Sequence, residues 1–396
     1  MSLFNALEIL PEDPILGLTP LFNADPRPNK INLGVGSYKD DQGRPVVLKA
    51  VQQAEKTILE QNLNKEYLPI DGDSTLRHEL LKLILGENSP LIKNNQTYSA
   101  QTIGASGALR IGAEFLRQIG IGTVALSNPT WSNHIALMER GGLKTCFYDY
   151  YNKEENILDF DKLYESLKKL PKKSAVLLHA CCHNPTGMDP TSEQWEELSR
   201  LIKSLNLVPF FDFAYQGFDQ GFDEDAYGVR TFVKDGHEFL IAYSFSKNFG
   251  LYGERVGGLC FVGHDSRVIE KIQTNIKVII RGNYSNPPLQ GSRIIKTILT
   301  TPELKTEWLK ELSEMRDRLK KIRGELLGRI ATFQNIKNFE FLKKQKGMFG
   351  FLGLEKEQVH LLRHKHGIYM PDSGRISFPG LNSDNLENFI NALKDT

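Results

Sequence analysis

The chain has 396 residues, more than one small hydrophobic core organises, so we expect more than one domain. Lysine and arginine number 49 and aspartate and glutamate 48, so there is no basic excess to bind a nucleic-acid backbone or an anionic lipid surface. No apolar run approaches the ~20 residues that a membrane span needs, which argues against a membrane protein.

The start of the chain and its cysteines bear on cellular location. The first residues, MSLFNALEILPED, contain no basic stretch and three acidic side chains, so we expect neither a secretory signal nor a transit peptide. The four cysteines include the adjacent pair Cys181 and Cys182, which is a poor basis for a disulfide framework and fits a reducing compartment. We therefore expect a cytoplasmic protein.

Amphipathic and apolar stretches alternate along most of the chain. Residues 1–43 are rich in Pro, Asn and Asp and are expected to form an extended arm and loops. Beyond the arm, the residue pattern predicts helix 50–62, helix 107–120, strand 123–129, strand 143–151, helix 159–170, strand 174–183, helix 192–206, strand 207–217, strand 238–248 and helix 302–328. Two strand-like segments, 339–354 and 368–381, follow the last helix.

This alternation of strands and helices predicts an α/β protein with a mostly parallel sheet. We place the sheet domain at residues 44–314 and assign residues 1–43 and 315–396 to an amino-terminal arm and a small domain. Ligands of open α/β sheets bind beyond the carboxyl ends of the strands. Polar residues at the predicted strand ends are therefore the candidates for function.

One predicted strand delivers Ser244, Ser246 and Lys247 at its end. A lysine amine in a desolvated site loses its proton and can form a Schiff base with a carbonyl, whereas a solvated lysine after a strand is the ordinary alternative. Glycines crowd the residues up to position 258, and Arg255 lies among them. This pattern favours backbone packed against a ligand, with a cation for a phosphate group.

Asp212 follows an apolar run and stands between two phenylalanines. A carboxylate in such a position needs a cation or a strong donor, or else it caps the next turn, and both interpretations stay open. Pyridoxal phosphate sites place a carboxylate against the pyridinium nitrogen. Tyr215, three residues further on, could reach the phenolic oxygen of the same ring.

The segment HACCHNPTG joins a predicted strand to a turn. The two-residue period of a strand predicts His179, Cys181 and His183 on one face. A zinc site is conceivable there, but the spacing is not that of a known finger and a fourth ligand is not evident, so a buried strand and turn is favoured. Asn184, at the predicted strand end, could donate its amide to an anionic ring oxygen.

Small residues precede the helix predicted at 107–120. Ala105 and Ser106 would leave backbone N–H groups free to hold a phosphate at the positive helix end, although most such helix starts bind nothing. Trp131 follows a predicted strand and could stack on an aromatic cofactor or simply pack in the core. Taken together, these motifs supply an amine, a partner for a pyridinium nitrogen and a partner for a phenolate oxygen. They also supply a phosphate cradle and an aromatic plane for stacking. These are the groups that a binding site for pyridoxal phosphate needs.

The segment SFSKNFGLYGERVGG resembles the cofactor-lysine segment of class I (fold-type I) aminotransferases, specifically the aspartate and aromatic amino acid aminotransferases. HACCHNPTG, DFAYQGF, YSNPP and SGR are similar to other signatures of that family in the same order, and the resemblance runs from about residue 13 to the carboxyl terminus. It implies a large domain with a seven-stranded, mostly parallel sheet and a small α+β domain that closes on substrate. It also implies a homodimer with two shared active sites, in which the arm of residues 1–11 packs on the partner.

The resemblance implies a role for each candidate residue. Lys247 would hold pyridoxal phosphate and later shuttle a proton, and Asp212 would pair with the pyridinium nitrogen. The other cofactor contacts would be Asn184, Tyr215 and Trp131 on the ring, Ala105, Ser106, Ser244 and Arg255 on the phosphate, and Tyr67 from the neighbouring subunit. Substrate would be bound by Arg375 at its α-carboxylate, by Gly36, Asn184 and Trp131, and by Arg281 from the other subunit at a side-chain carboxylate.

Several positions bear on the substrate. Gly253 and Ser106 are similar to the aromatic-preferring members, whereas Asn286 and Lys39 are similar to the aspartate enzymes; Ser37 and Ser377 depart from the residues usual in the family. We therefore expect ping-pong transamination, by way of pyridoxamine phosphate, between dicarboxylic and aromatic amino acids and 2-oxo acids such as 2-oxoglutarate and oxaloacetate. No metal is expected.

Three other functions can be compared with these motifs. An aromatic-preferring aminotransferase fits the same motifs. A lyase or decarboxylase on the same scaffold is disfavoured, because two carboxylate-binding arginines suit dicarboxylate transamination. A non-catalytic regulator is disfavoured because Lys247 is present and no extra domain is evident.

Overall fold

The computed structural model describes residues 2–10, 12–332 and 338–396. Its strands are β1 (Ile31–Asn32), β2 (Thr97–Ile103), β3 (Thr123–Asn128), β4 (Lys144–Asp149), β5 (Tyr151–Asn152), β6 (Ile157–Leu158), β7 (Ser174–His179), β8 (Val208–Phe213), β9 (Phe239–Ser244), β10 (Val256–Val262), β11 (Phe349–Phe351), β12 (Ile368–Tyr369) and β13 (Arg375–Ser377). Its α-helices are α1 (Leu18–Ala24), α2 (Lys49–Glu60), α3 (Ser74–Leu85), α4 (Pro90–Lys93), α5 (Gly104–Gln118), α6 (Asn133–Arg140), α7 (Phe160–Leu167), α8 (Ser192–Ser204), α9 (Tyr227–Lys234), α10 (Ser266–Asn283), α11 (Gln290–Thr300), α12 (Pro302–Ile330), α13 (Lys356–His366) and α14 (Leu386–Leu393). Single 3-10 turns occupy Glu224–Ala226, Glu340–Lys344 and Phe378–Gly380.

The centre of the molecule is a seven-stranded sheet in the order β2-β10-β9-β8-β7-β3-β4. β10 is antiparallel to both of its neighbours, β2 and β9, and the other neighbouring pairs are parallel. Every residue of β7, β9 and β10 is buried, as expected for central strands that are covered on both faces.

Helices cover the sheet on both faces. α5 packs against β8, β9 and β10 together with α10, and their apolar side chains form one core layer with Phe210 and Phe261. A second, larger core layer holds the apolar faces of α2, α3, α8 and α12. Within the described residues, no helix is both long and apolar enough to cross a membrane.

The predicted strands at 123–129, 143–151, 207–217 and 238–248 are present, each a few residues shorter than expected. The segment 174–183 was predicted to be strand throughout, but β7 ends at His179. The segment 339–354 begins as a 3-10 turn and has a three-residue strand, β11, near its end. The segment 1–43, predicted to be an extended arm and loops, contains the helix α1, and its residues Met1 and Pro11 lie outside the described residues.

α12 is the longest described helix, with 29 residues. It begins with Pro302 in its first turn, where a missing N–H costs nothing, and it continues past the predicted end at residue 328. It contacts α2 and α11 as well as α14 and the 3-10 turn Glu340–Lys344. The helix therefore runs without a break through the predicted domain boundary at residue 314, and the division into domains stays a prediction.

Candidate active site

Several strands end or begin at one edge of the sheet. β2 and β9 are both antiparallel to β10, so β2 runs in the same direction as β3, β7, β8 and β9. Their carboxyl ends meet at this edge, and β10 starts there. The expected site residues follow in order: Ala105 and Ser106 after β2, Trp131 after β3, Asn184 after β7, Asp212 and Tyr215 at the end of β8, Ser244 and Lys247 at the end of β9, and Arg255 just before β10.

A cavity of about 240 Å³ opens at this edge. It brings together all of the expected site residues except Tyr67 and Arg281. Those that line it are Gly36, Ala105, Ser106, Trp131, Asn184, Asp212, Tyr215, Ser244, Lys247, Arg255 and Arg375. Residues from across the whole sequence therefore meet in one small space.

Lys247 is largely enclosed, and its Nζ lies 5.2 Å from the centre of the Tyr215 ring. Burial and, to a smaller extent, the charges of Arg255 and Arg375 lower the pKa of Lys247 and Asp212 raises it, with a net pKa of about 8. A charged amine is costly in such surroundings, so the neutral, nucleophilic form is accessible close to neutral pH.

Asp212 is buried near the end of β8 and accepts a hydrogen bond at Oδ2 from His134 Nε2, at 3.0 Å. Burial alone would raise the pKa of Asp212, but the His134 hydrogen bond and nearby positive charge outweigh it, so the pKa stays below its usual value. The hydroxyl of Thr130 lies 2.8 Å from His134 Nδ1 and fixes the ring orientation. The other oxygen, Oδ1, is buried and has no hydrogen-bond partner among the described residues.

The expectation that His179, Cys181 and His183 share a strand face is wrong, because the strand ends at His179. His183 lies in the turn that follows, where its ring stacks on Tyr150 at 4.0 Å, contacts the His179 ring at 4.2 Å and lies 2.9 Å from the hydroxyl of Ser127. His179 pairs with Asp212 in the strand register, and burial lowers the pKa of His179 to about 3. His179 is therefore neutral beside the ionised carboxylate.

The start of α5 forms a cradle with Arg255. No side chain caps the helix, and its first N–H groups have no intrahelical acceptors; that of Gly104 donates to the Arg255 carbonyl at 3.0 Å. Gly104 has φ +62°, and a Cβ there would lie 2.6 Å from Arg255 Nη2. A Cβ on Gly257 would lie 2.5 Å from the carbonyl carbon of Gly104. Glycine is thus required at both positions to bring helix and guanidinium together.

Arg375 lies in β13 and is only 3% exposed. Its Nη1 donates to Asn184 Oδ1 at 3.2 Å and its Nη2 to the Gly34 carbonyl at 2.6 Å, while the guanidinium covers the Phe349 ring at 4.2 Å. Burial lowers the pKa of Arg375 to about 10, so it stays charged at neutral pH. Among the described residues it has no carboxylate partner within 4.0 Å, so it is ready to bind an anion.

Tyr67 and Arg281 do not join the cavity of this chain. The Tyr67 side chain is 83% exposed, and Arg281 lies in the exposed last turn of α10, where its guanidinium contacts Ser285. Their place in the site of a neighbouring subunit stays a prediction.

Four further residues of the site are not predicted from the sequence: His134, which contacts Asp212, and the apolar residues Ile15, Leu16 and Phe349, which line the cavity. A signal for His134 existed: it follows Thr130 by four residues, immediately after a predicted strand end. No comparable signal marks Ile15 and Leu16, because apolar residues in an arm are equally compatible with packing anywhere.

The arrangement fits pyridoxal phosphate. A buried, ionised oxygen without a donor costs folding free energy, and a pyridinium N–H would satisfy Asp212 Oδ1. A Cβ at Gly104 would fill the space that the Arg255 guanidinium occupies beside the uncapped helix end, which suits a phosphate. Lys247, which lines the same cavity, could supply an amine for the aldehyde. Each chemical group of the cofactor thus has a matching partner here.

Comparison with known proteins gives the same result. A family model for aminotransferase class I and II matches residues 28–393. An aspartate aminotransferase from Pseudomonas aeruginosa is 43% identical over 394 residues, 99% of each chain. The solved structure of an aromatic-amino-acid aminotransferase from Burkholderia pseudomallei, covalently bound to pyridoxal phosphate, superposes with a TM-score of 0.97 at 43% identity and covers 100% of this chain and 99% of that one. An aromatic amino acid aminotransferase from Psychrobacter sp. B6, cocrystallised with aspartic acid, has a TM-score of 0.96 at 39% identity and 99% coverage of both chains.

The fold and site define a pyridoxal-phosphate-dependent enzyme of fold-type I. The chain belongs to the class I and II aminotransferase family and catalyses transamination. The expected family, fold class, cofactor and enzyme class are confirmed.

Proposed function

We propose that the enzyme transfers amino groups between the dicarboxylic amino acids aspartate and glutamate, aromatic amino acids, and 2-oxo acids such as 2-oxoglutarate and oxaloacetate. The observation that carries this proposal is Arg375, a buried cation without a carboxylate partner, in the same cavity as Lys247. The Psychrobacter enzyme, named for aromatic substrates yet cocrystallised with aspartic acid, supports a site that accepts both classes.

Bound pyridoxal phosphate supplies an aldehyde for amine capture and a protonated ring that withdraws electrons from the substrate α-carbon. Asp212 Oδ1 would accept the hydrogen bond of the ring N–H, and His134, which binds the other oxygen, favours the ionised form of Asp212. Trp131, Asn184 and Tyr215 line the cavity, where Trp131 would cover the ring and Asn184 and Tyr215 would bind its phenolic oxygen.

The cradle of α5, with Ala105, Ser106, Ser244 and Arg255, holds the phosphate. Arg375 binds the substrate α-carboxylate in bidentate geometry, with Gly36 beside it, and this pairing orients the α-hydrogen. Once the substrate amine has taken the place of Lys247 on the aldehyde, the freed Lys247 Nζ would accept the proton from the α-carbon and later deliver it to the product. A pKa of about 8 matches a base that must both accept and release a proton near neutral pH.

We assign Tyr67 and Arg281 to the active site of the second subunit in a homodimer. In support, both side chains are exposed in the single chain and neither contributes to its own cavity. The arm residues Leu3, Phe4, Leu7, Ile9 and Leu10 are apolar and exposed, as expected for a surface that a partner covers. We also propose a cytoplasmic location, since the four cysteines are free thiols.

The test of substrate class is a half-reaction screen. The pyridoxal-phosphate enzyme is mixed with each amino acid in turn, and the cofactor absorbance is followed in wild type and in Arg281→Ala. Arg281 would bind only a distal carboxylate, so its loss should cost aspartate roughly 2–5 kcal/mol of transition-state binding and spare phenylalanine. Equal losses in kcat/KM for aspartate and phenylalanine would show that Arg281 does not recognise the substrate. A wild type that reacts with aromatic amino acids alone would establish the aromatic-preferring alternative.

A further inference from the structure

A second cavity, about 410 Å³ in volume, lies outside the active site between the second half of α12 and the segment 343–347. Its floor is apolar and includes Phe218, Leu319 and Leu327. Its volume lies in the range of small-molecule pockets, roughly 300–1,000 Å³. The transamination mechanism makes no use of this cavity.

The polar part of its wall is strongly basic. Five cations line the cavity, namely Lys320, Arg323, Lys343, Lys344 and Lys346, against one carboxylate, Asp219. Asp219 is already engaged by Lys346 at 2.8 Å, and Lys343 pairs with Glu340. Within the described ranges, Lys320, Arg323 and Lys344 have no carboxylate within 4.0 Å. The uncompensated positive charge therefore concentrates on one small cavity.

The positive charge of the cavity does not come from exposed lysines alone, because Arg323 is buried. Its side chain is 7% exposed, its Nη2 donates to the Gly347 carbonyl at 2.7 Å, and its guanidinium lies 4.4 Å from the centre of the Phe378 ring. The Nε is buried and has no hydrogen-bond partner among the described residues. Burying a guanidinium without a counter-charge is costly unless an anion compensates it.

We propose that this cavity binds a small phosphorylated organic molecule. A phosphate group carries about −1.5 to −2 charges at neutral pH and offers three acceptor oxygens, which matches three unpaired cations better than a single carboxylate does. The apolar floor at Phe218, Leu319 and Leu327 would take the carbon skeleton of the molecule. The ligand class is therefore a phosphate ester, bound independently of the active-site cofactor.

The test is calorimetric titration of the pyridoxal-phosphate-loaded enzyme with inorganic phosphate, pyrophosphate and AMP. Loaded enzyme is used because the cofactor phosphate then fills the α5 cradle. We expect AMP to bind more tightly than inorganic phosphate. The double variant Lys320→Glu/Lys344→Glu should weaken AMP binding roughly tenfold or more, because it reverses two unpaired charges on the cavity wall. Both lysines are exposed, so the variant should fold like wild type.

The matched control is Lys169→Glu, which reverses an exposed charge away from the cavity and should leave binding unchanged. Three outcomes would overturn the proposal: no AMP binding to wild type in the millimolar range, equal binding by wild type and the double variant, or AMP binding no tighter than that of inorganic phosphate. Binding that persists in the double variant but disappears in Arg375→Ala would place the anion in the active site and would overturn it as well.

Discussion

At Lys247, burial and the charges of neighbouring residues together set the pKa of one amine. Burial and the two nearby arginines lower the pKa, while Asp212 raises it, with a net pKa of about 8. In the unfolded chain the same amine titrates near 10.4. Between these values the unfolded state binds more protons, so the stability of the cofactor-free protein rises with pH across that window.

This leads to a prediction for Lys247→Met. Below pH 8 the cofactor-free variant should be more stable than wild type, because it buries no charged amine. The difference, on the order of 1–3 kcal/mol, should shrink as the pH rises from about 8 to about 10.4. Urea unfolding of both proteins across this pH range measures it. A constant difference would mean that Lys247 keeps an ordinary pKa, and the variant should in any case lack transaminase activity.

A second prediction concerns Asp212→Asn. A neutral amide cannot hold a ring nitrogen protonated, so turnover should fall by ~10²-fold or more. The matched control is Asp225→Asn, which alters another buried carboxylate, one that accepts hydrogen bonds from the backbone N–H groups of residues 217, 219, 220 and 221. That change should lower thermal stability and leave turnover of the remaining folded enzyme near wild type. If Asp212→Asn also affects only stability, Asp212 is structural.

At the scale of elements, the start of α5 supports a third prediction. Gly104→Ala places a methyl group 2.6 Å from Arg255 Nη2, at a backbone φ of +62° that side chains disfavour. The guanidinium must move, so the affinity for pyridoxal phosphate should fall, by about tenfold or more. Gly328→Ala is the control, because it adds a methyl group in α12 where no atom lies within 4 Å. Cofactor titration of both variants distinguishes them, and equal affinities would contradict the role of the cradle.

The elements also show what could be predicted from sequence. β8 and β9 are mostly apolar, with Asp212 the one charged residue, so burial on both faces is visible in the sequence itself. β2 and β10 are not predicted from the sequence. β2 buries the polar residues Ser99, Gln101 and Thr102, whose partners lie up to 187 residues away, and β10 has two glycines directly after its first residue, which suggest a loop. In both strands the stabilising contacts are tertiary, and no local pattern contains them.

In the active site, too, some residues could be predicted from the sequence and others could not. Lys247, Asp212 and Asn184 could be found because each follows an apolar strand, and strand ends converge by topology alone. The resemblance to a family was needed to assign Arg375, since β13 has only three residues and its neighbourhood gives no periodic signal. The pairing of His134 with Asp212 spans 78 residues and becomes evident only when the strands are side by side.

At the scale of the whole molecule, the proposed homodimer predicts complementation between inactive variants. If each site combines Lys247 of one subunit with Arg281 of the other, a mixed dimer of Lys247→Ala and Arg281→Ala contains one intact site. Random reassociation of equal amounts should restore about a quarter of the wild-type activity on aspartate. If Arg281 served its own subunit, every site would carry one defect and the mixture would stay as inactive as its components.

The buried guanidinium of Arg375 has a practical consequence for handling the protein. It is a charged group held by an amide oxygen, a peptide oxygen and a phenyl ring, with no carboxylate of the described chain to neutralise it. If Arg375 binds the substrate α-carboxylate as proposed, other small carboxylates that can enter the cavity of about 240 Å³ should bind there too. We therefore expect acetate or formate left from purification to compete with amino acids, raising the apparent KM while leaving kcat unchanged. Buffers without a carboxylate group are the appropriate medium for the first assays.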